Sequence, residues 1–236
     1  MKTTGKILVA IMVLFTFSSC MLNGIKGNGN VVTDTRSVSE DFDAIHASRG
    51  IDVYITMSND VSITVKADEN LQDIIITEVR DEVLHVYLDK NVWNSSSKKV
   101  YVTTPHIKEI STTSGASVIS EGKIMADELK LSATSGSDIK LDVEAEDINC
   151  STTSGADIKL RGKATNLIVD STSGSDVKAE DLIAEVCNVS VTSGADVDVH
   201  VTGTLSAKAT SGGDIRYIGN PKNISKSESS SGNIHN

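Results

Sequence analysis

The chain has 236 residues and a formal net charge of -10 at pH 7; 39% of its residues are hydrophobic but only 3% are aromatic. A chain of this length can form one or two domains with a sizeable core. With so few large rings, the core must be built from aliphatic and small hydroxyl residues, which favours thin, regular layers. The acidic balance argues against nucleic-acid binding.

The first 20 residues have the three zones of an export signal. Lys2 and Lys6 form a basic start, an apolar run follows over residues 7–17, and the segment ends in Ser-Ser-Cys at Cys20. The apolar run is too short to span a bilayer, because a membrane helix needs about 20 residues. Small residues before a cysteine are typical of a bacterial lipoprotein signal. We therefore predict that residues 1–19 are removed and that Cys20 is lipidated; an ordinary secretory signal with an incidental cysteine is the alternative.

The next part of the chain is less regular. Residues 20–38 are rich in glycine and asparagine and are predicted to be a flexible tether from the lipid. Residues 39–104 alternate as strands in places and are predicted to form an irregular cap on a repetitive domain. Within this part, residues 68–74 begin with a helix-capping Asp68 and favour a turn or two of helix. The serine-rich stretch over residues 91–99 indicates a loop.

From residue 105 to residue 234 the sequence repeats itself. The motif is Thr-Ser-Gly-small-Asp-aliphatic, and a shortened copy ends the chain. Its glycines are Gly115, Gly136, Gly155, Gly174, Gly194, Gly212 and Gly232. Their separations are 21, 19, 19, 20, 18 and 20 residues. Residues 48–55 align with the motif, so we predict that the repeat begins there in altered form.

Within each copy, apolar and polar residues alternate as they do in a β-strand. In the second copy one parity runs from Leu129 through Ala133, Ser135 and Ser137 to Ile139, so the Ser-Gly step is predicted to bend the strand without ending it. One copy cannot bury its own apolar face, whereas stacked copies can. The sequence therefore predicts an all-β fold, a right-handed parallel β-helix (solenoid) with coils of about 20 residues.

Stacking places equivalent outward residues above one another. The aspartates of the motif then form a row: Asp138, Asp157, Asp176, Asp196 and Asp214. Like charges one strand apart repel by about 0.9 kcal/mol per pair in a water-like dielectric. Two positions later a basic row runs beside them: Lys140, Lys159, Lys178 and Arg216, with Asp198 as the exception. We interpret the two rows as a solvated, self-compensated face; weak calcium binding or ligand recognition along the aspartates are the alternatives.

The sequence predicts no metal centre, no cofactor and no catalytic residues. Cys150 and Cys187 fall on the inward parity and are predicted to be buried free thiols, and the five histidines lack metal-ligand spacing. Some β-helices are polysaccharide lyases or hydrolases, which need a singled-out carboxylate and usually aromatic platforms. In the repeats Tyr217 is the only aromatic residue. We predict that the protein is not an enzyme, with a polysaccharide-acting β-helix enzyme as an alternative.

The leader and the repeats together resemble a known family. The resemblance rests on residues 42–45, 50–55 and 84–86, on the serial Ser-Gly-x-Asp copies and on the closing Ser-Gly-Asn-Ile at residues 231–234. These features are similar to exported proteins of Bacteroidetes described as putative auto-transporter adhesin, head GIN domain, a domain of unknown function. The resemblance covers residues 40–234 and implies a single-stranded right-handed β-helix at the cell envelope. It implies no catalytic residues.

Together these features predict a non-catalytic cell-envelope lipoprotein with a β-helical head over residues 39–234, serving as an adhesin or scaffold module. Its predicted partners are the membrane, through the lipid on Cys20, and a protein or glycan; nucleic acid is not a partner. We expect it in the outer membrane, facing either the periplasm or the outside. A periplasmic sensor or a self-assembling β-helical component is the alternative, although the polar last coil over residues 224–236 argues against filaments.

Overall fold

The computed structural model describes residues 24–38 and 40–236. The predicted signal peptide and Cys20 lie outside the described residues. The amino-terminal part contains β1 (Ile25–Lys26), β2 (Val31–Arg36), β3 (Ala44–Ser48), β4 (Asp52–Met57), β5 (Ser62–Asp68), a 3₁₀ helix (Glu69–Ile74), β6 (Ile75–Arg80), β7 (Val83–Leu88), β8 (Val92–Asn94), β9 (Lys98–Thr104) and β10 (Glu109–Thr112). The repeats contain β11 (Ser117–Thr134), β12 (Asp138–Thr153), β13 (Asp157–Thr172), β14 (Asp176–Thr192), β15 (Asp196–Thr210), β16 (Asp214–Ile218), β17 (Asn223–Ser229) and β18 (Asn233–His235).

The repeats stack as the coils of a parallel β-solenoid. Strands β11 to β15 pair in chain order, each parallel to the next. The register places Ile139 on Ile158 and Ile158 on Val177, so each residue lies on its counterpart in the next repeat. The alternation of apolar and polar residues fits this arrangement, because successive side chains of a strand point to opposite faces. The predicted all-β parallel solenoid is confirmed.

Aliphatic side chains fill the centre of the solenoid. Leu167, Val169 and Val177, for example, are fully buried. Cys150 and Cys187 are buried free thiols, as predicted, and burial raises the pKa of each to about 12. Because only the thiolate is reactive, both cysteines act as small apolar residues at neutral pH.

The Ser-Gly step is a tight turn between two strands. Both Ser135 (φ 57°) and Gly136 (φ 65°) adopt the left-handed conformation, the combination found in type I′ turns. Two such residues in succession redirect the chain, so that Ser135 is exposed whereas Ser137 is buried. The sequence places Ser135 on the inward parity and predicts that the Ser-Gly step bends the strand without ending it. Both predictions are wrong, because Ser135 is exposed and the step separates β11, which ends at Thr134, from β12, which begins at Asp138. The Gly136 N–H donates to the carbonyl of Ser154 at 3.1 Å, so hydrogen bonding between coils continues through the turn.

Buried hydroxyl groups occupy the inner side of these turns. Thr152 Oγ1 donates to Ser171 Oγ at 2.8 Å, and Ser171 Oγ lies 2.9 Å from Ser175 Oγ. Ser175 Oγ also donates to the carbonyl of Thr172 at 2.7 Å. Each buried hydroxyl thus has a partner, which removes the penalty of burying a polar group. The small hydroxyl residues predicted for the core therefore lie at these turns, although the next coil has the buried Val191 opposite Ser171.

The amino-terminal coils stack out of chain order. The coil formed by β3 and β4 pairs with β10 and β11 on one side and with β7 and β9 on the other. The coil of β7 and β9, although later in the sequence, is therefore the outer of the two. Antiparallel pairing of β6 with β7 and of β5 with β9 continues the sheet beyond it. The altered repeat is confirmed, since Arg49 and Gly50 adopt the same left-handed turn and Asp52 pairs with Ser117.

Residues 24–36 differ from the predicted flexible tether. Strand β1 pairs with β8, inside the stretch predicted as a loop, and β2 runs antiparallel to β5. Asp68 holds this segment: its fully buried carboxylate accepts hydrogen bonds from the backbone N–H groups of Gly29 (3.0 Å), Ser96 (3.1 Å) and Ser97 (2.9 Å). A Cβ on Gly27 would lie 1.9 Å from Asp68 Oδ2, so glycine is required there by the close approach of the two segments.

The 3₁₀ helix confirms the helical turn predicted over residues 68–74. Asp68 is its N-cap residue, immediately before Glu69, but its side chain makes no capping hydrogen bond. The sequence pattern identifies the helix correctly and assigns the carboxylate the wrong partner, because the amino-terminal segment that Asp68 binds is about 40 residues away along the chain.

The last coil covers the other end of the core with polar side chains. On β17, Lys226 and Glu228 stand opposite buried alanines of the preceding coil. Glu228 Oε1 accepts a hydrogen bond from the Ile234 N–H at 2.8 Å, and Lys226 Nζ donates to the Ile234 carbonyl at 3.2 Å. Lys226 Nζ also lies 4.6 Å from the centre of the Tyr217 ring. Charged groups thus occupy positions where a further coil would need apolar residues.

Replacing a turn glycine should show how much the left-handed backbone conformation of a residue with a Cβ lowers the free energy of unfolding. At Gly136 a Cβ would meet no atom within 4 Å, so Gly136→Ala should lower the free energy of unfolding by about 1–2 kcal/mol through backbone strain. Gly136→Asn should cost less, because asparagine enters this conformation more readily. Gly162→Ala is the contrasting variant and should cost more, because its Cβ would lie 2.1 Å from the Val143 carbonyl. Urea unfolding of the three variants measures this, and wild-type stability for Gly136→Ala would contradict the strain.

Asp68→Asn should weaken the amino-terminal segment in a pH-dependent way. Burial alone raises the pKa of Asp68, but the backbone N–H donors of Gly29, Ser96 and Ser97 outweigh it and lower the pKa. The carboxylate therefore stabilises the fold above its unfolded pKa of about 3.9, and this contribution is lost as the pH falls through the folded pKa. We expect the variant to lose about 1–3 kcal/mol at neutral pH through its unsatisfied partners.

The measurement is urea unfolding of wild type and Asp68→Asn across a pH series. The difference between the two proteins should shrink in acid, as the wild-type carboxylate is protonated. Asp60→Asn, at an exposed position, is the control and should follow the wild type throughout. A difference that stays constant with pH would show that the ionised carboxylate is not what holds the segment.

Candidate interaction surface

The structure brings the predicted aspartate row together on one outer face. The register joins neighbouring coils directly at Asp138, Asp157, Asp176, Asp196 and Asp214. Towards the amino terminus the row continues through Ser117 to Asp52, and at the carboxyl terminus it ends on Asn233. The alignment of identical side chains follows from the stacking of repeats with conserved register.

Neighbouring carboxylates in this row oppose one another's ionisation. Desolvation, together with the charges of Asp176 and Asp138, raises the pKa of Asp157. Desolvation also raises the pKa of Asp196, with contributions from Asp176, Asp214 and Asp198. A raised pKa means that the fold disfavours the charged carboxylate. The aspartate row is thus a source of repulsion that other contacts must offset.

The basic row beside the aspartates supplies part of the offset. Lys140, Lys159 and Lys178 stack in register, followed by Asp198 and Arg216. Lys140 Nζ and Lys178 Nζ each lie 3.9 Å from the aspartate two residues earlier. Exposed pairs at this distance contribute little individually. The contact between Arg216 Nε and Asp198 Oδ1 is shorter, at 2.7 Å, and it lies where the extra aspartate interrupts the basic row.

The carboxyl end of the two rows is the most acidic part of the face. Asp196, Asp198 and Asp214 line one cleft there, together with Arg216 and His235. His235 Nδ1 lies 3.4 Å from Asp214. Across residues 24–38 and 40–236, no group of three or more histidine, cysteine, aspartate or glutamate side chains has a geometry that could hold a metal ion. The aspartates lie side by side on successive strands. The alternative of calcium binding along them therefore has no preformed metal centre in this part of the chain.

Two side-chain pairs on the amino-terminal coils are not evident from the sequence. The rings of Tyr54 and Tyr101 stack with centroids 5.1 Å apart, and Lys99 Nζ lies 5.0 Å from the Tyr54 ring. The rings of His46 and His85 are 5.5 Å apart, and desolvation lowers the pKa of both. Tyr54 and Tyr101 are 47 residues apart along the chain and His46 and His85 are 39 apart. They meet because β4 pairs with β9 and β3 with β7 across the insertion that contains β5 and β6. Aligning residues 83–104 with the repeat would have found them.

A described protein family shares this sequence pattern. Its family model, "Putative auto-transporter adhesin, head GIN domain", matches residues 41–221. The chain belongs to this family. The match agrees with the resemblance over residues 40–234, and it includes the out-of-order coils as well as the Ser-Gly repeats of the head GIN domain. Among curated proteins, none matches the chain.

Solved structures of Bacteroides and Parabacteroides proteins share the fold of this head GIN domain. A putative adhesin from Bacteroides fragilis is 24% identical, with a TM-score of 0.83 over 90% of this chain and 100% of its own. A protein from Parabacteroides distasonis described as a putative lipid binding protein is 24% identical, with a TM-score of 0.72 over 90% and 99% of the two chains. A putative adhesin from Parabacteroides merdae is 23% identical, with a TM-score of 0.70 over 91% and 99%. At these identities the likeness concerns the fold.

Removing one charge from the aspartate row should stabilise the head GIN domain. Because the pKa of Asp157 is raised in the fold, its charged form is destabilising at neutral pH, and this penalty vanishes in acid, where the group is protonated in both folded and unfolded chains. Because Asp157 is exposed and solvent and the neighbouring lysines screen the repulsion, Asp157→Asn should raise the free energy of unfolding at neutral pH by about 0.5 kcal/mol or less. Asp170→Asn is the control, since Asp170 stands between Ser151 and Ser190. Urea unfolding at neutral and acid pH tests this, and equal effects of the two variants would contradict row repulsion.

Proposed function

We propose that this protein is a non-catalytic cell-envelope lipoprotein whose β-solenoid is an interaction head used in adhesion. The observation that carries the proposal is the filled interior of the solenoid. Its inward positions are occupied by buried aliphatic, small and hydroxyl side chains in successive coils. A ligand therefore meets the outer faces, where side chains recur in rows. Family membership and the adhesin descriptions of relatives of the same fold support this role.

The cleft beside Phe42 is the place where the enzymatic alternative can be judged. It is lined by Asp41, Asp43, Glu82, His106 and Lys108, which are residue types that catalysis can use. Asp43 and Lys108 form an ion pair with each other, whereas catalytic acids and bases need a free, suitably tuned group facing the substrate. The family description names an adhesin and gives the polysaccharide-acting enzyme no comparable support.

Membrane attachment in this proposal occurs through lipid on Cys20. The support is the leader, with its basic start, its apolar run and its small residues before the cysteine. Within the described residues, none of the helices is long and apolar enough to cross a membrane. A lipid on Cys20 would place the amino-terminal coils nearest the bilayer and the repeats farther out. The adhesin role further requires that the head face the outside of the cell.

Intact-mass analysis and protease treatment of whole cells test this proposal in the native bacterium. We expect a mature chain that begins at a lipid-modified Cys20, sediments with membranes and is cleaved by added protease. Cys20→Ala should abolish lipidation and release the protein from the membrane fraction. Cys150→Ala, which alters a buried free thiol, is the matched control and should leave attachment unchanged. An unmodified Cys20 would contradict the lipoprotein, and a protease-protected head in intact cells would contradict the adhesin.

A further inference from the structure

The tryptophan on β8 is the most exposed large apolar side chain of the described residues. Trp93 is the only tryptophan in the sequence, and 60% of its surface is accessible. Its strand pairs with β1, and Lys26 Nζ of β1 lies 5.7 Å from the ring centre. In a chain with so few aromatic residues, a large ring held in water by a paired strand calls for an explanation.

The position of Trp93 relative to the amino terminus provides one. Gly24, the first described residue, packs on the ring, since a Cβ there would lie 3.0 Å from Trp93 Cδ1. The Ile25 N–H donates to the Asn91 carbonyl at 2.8 Å and fixes this contact. Cys20 precedes Gly24 by four residues, which span at most about 14 Å when fully extended. A lipid on Cys20 therefore keeps the indole within reach of the bilayer surface.

The basic residues around β8 also favour contact with a bilayer surface. Arg49, Lys90 and Lys98 line a cleft together with Val92, and Asp89 is the acidic residue of that cleft. With Lys26 on the adjacent strand, this corner carries four basic residues in a chain whose formal net charge is -10. Besides Asp89, the exposed Glu69 lies beside β1, where its carboxylate accepts hydrogen bonds from Asn28 and Asn30, so the basic residues are still in excess. Basic side chains near a membrane are attracted to anionic lipid headgroups. Tryptophan favours the headgroup boundary, where its ring is buried and its N–H still finds a partner.

We propose that the face formed by β1, β8 and the surrounding basic residues rests on the bilayer, with Trp93 inserted at the headgroup boundary. The proposal rests on the lipid anchor of the proposed function and adds a second point of contact. The lipid on Cys20 attaches the chain at one point and by itself leaves the orientation of the head free. Two contacts fix that orientation, so that the amino-terminal coils lie on the membrane and the last coil points away.

Because Trp93 is the only tryptophan, its fluorescence reports on this contact directly. The mature lipidated protein is reconstituted in vesicles of phosphatidylethanolamine and phosphatidylglycerol, with or without lipid brominated on the acyl chains. We expect a shift of the emission to shorter wavelength, quenching by the brominated lipid, and a loss of quenching by iodide in the water phase. The matched control is W93F/I224W, which moves the indole to an exposed position on the last coil. Its emission should be insensitive to brominated lipid.

Flotation of the vesicles and the mass of Cys20 separate the two proposals. Quenching of the wild type alone, in protein that floats with the vesicles, supports the contact at Trp93. A lipidated protein that floats while Trp93 remains open to iodide overturns the membrane contact and leaves the anchor standing. Bromolipid quenching of both proteins overturns the assignment of this face, because the head would then lie along the membrane. An unmodified Cys20 in protein that fails to float overturns both the anchor and the contact.

Discussion

In-register hydrogen bonding between successive coils is the constraint on which this structure depends. Each residue of a repeat lies on its counterpart in the next repeat. Its side chain therefore contacts the equivalent side chains about 4.8 Å above and below, which limits the residue types that fit. Inside, this favours aliphatic residues such as Ile139, Ile158 and Val177 that pack on one another. Outside, it forces like charges into rows. The Ser-Gly turns satisfy the constraint where the chain changes direction, because their own N–H and carbonyl groups join the ladder.

The repeated part of the fold follows from its sequence in almost every respect. Alternation identifies the strands, and the spacing of the glycines identifies the coil and the aspartate row. The exception is the turn at Ser135, because counting parity along the chain assumes extended backbone and the turn has two left-handed residues. The amino-terminal part is less predictable. Asp68 is paired with segments about 30 and 40 residues away, and local patterns do not record contacts at that separation.

The same reasoning explains why the outer surface is only partly evident from sequence. The aspartate and lysine rows come from consecutive repeats and can be aligned by inspection. The tyrosine pair joins two coils separated by the insertion that contains β5 and β6, and the strand of the exposed Trp93 pairs with β1 near the start of the chain. Neither contact follows from the spacing of the repeats. The side chains most distinct from the repetitive background therefore lie on the least repetitive coils. Among the coils, those are also the nearest along the chain to Cys20, the residue predicted to carry the lipid.

The separate closure of the two ends has a consequence for the size of the head. The interleaved amino-terminal coils form one end, and Lys226 and Glu228 cover the other. Between them, strands β12 to β15 contact only the coils immediately before and after. A duplication of one 19-residue unit here would lengthen the rod by about 4.8 Å and leave both ends intact. The length of the head is thus a property that unequal recombination between repeats can adjust without changing either end.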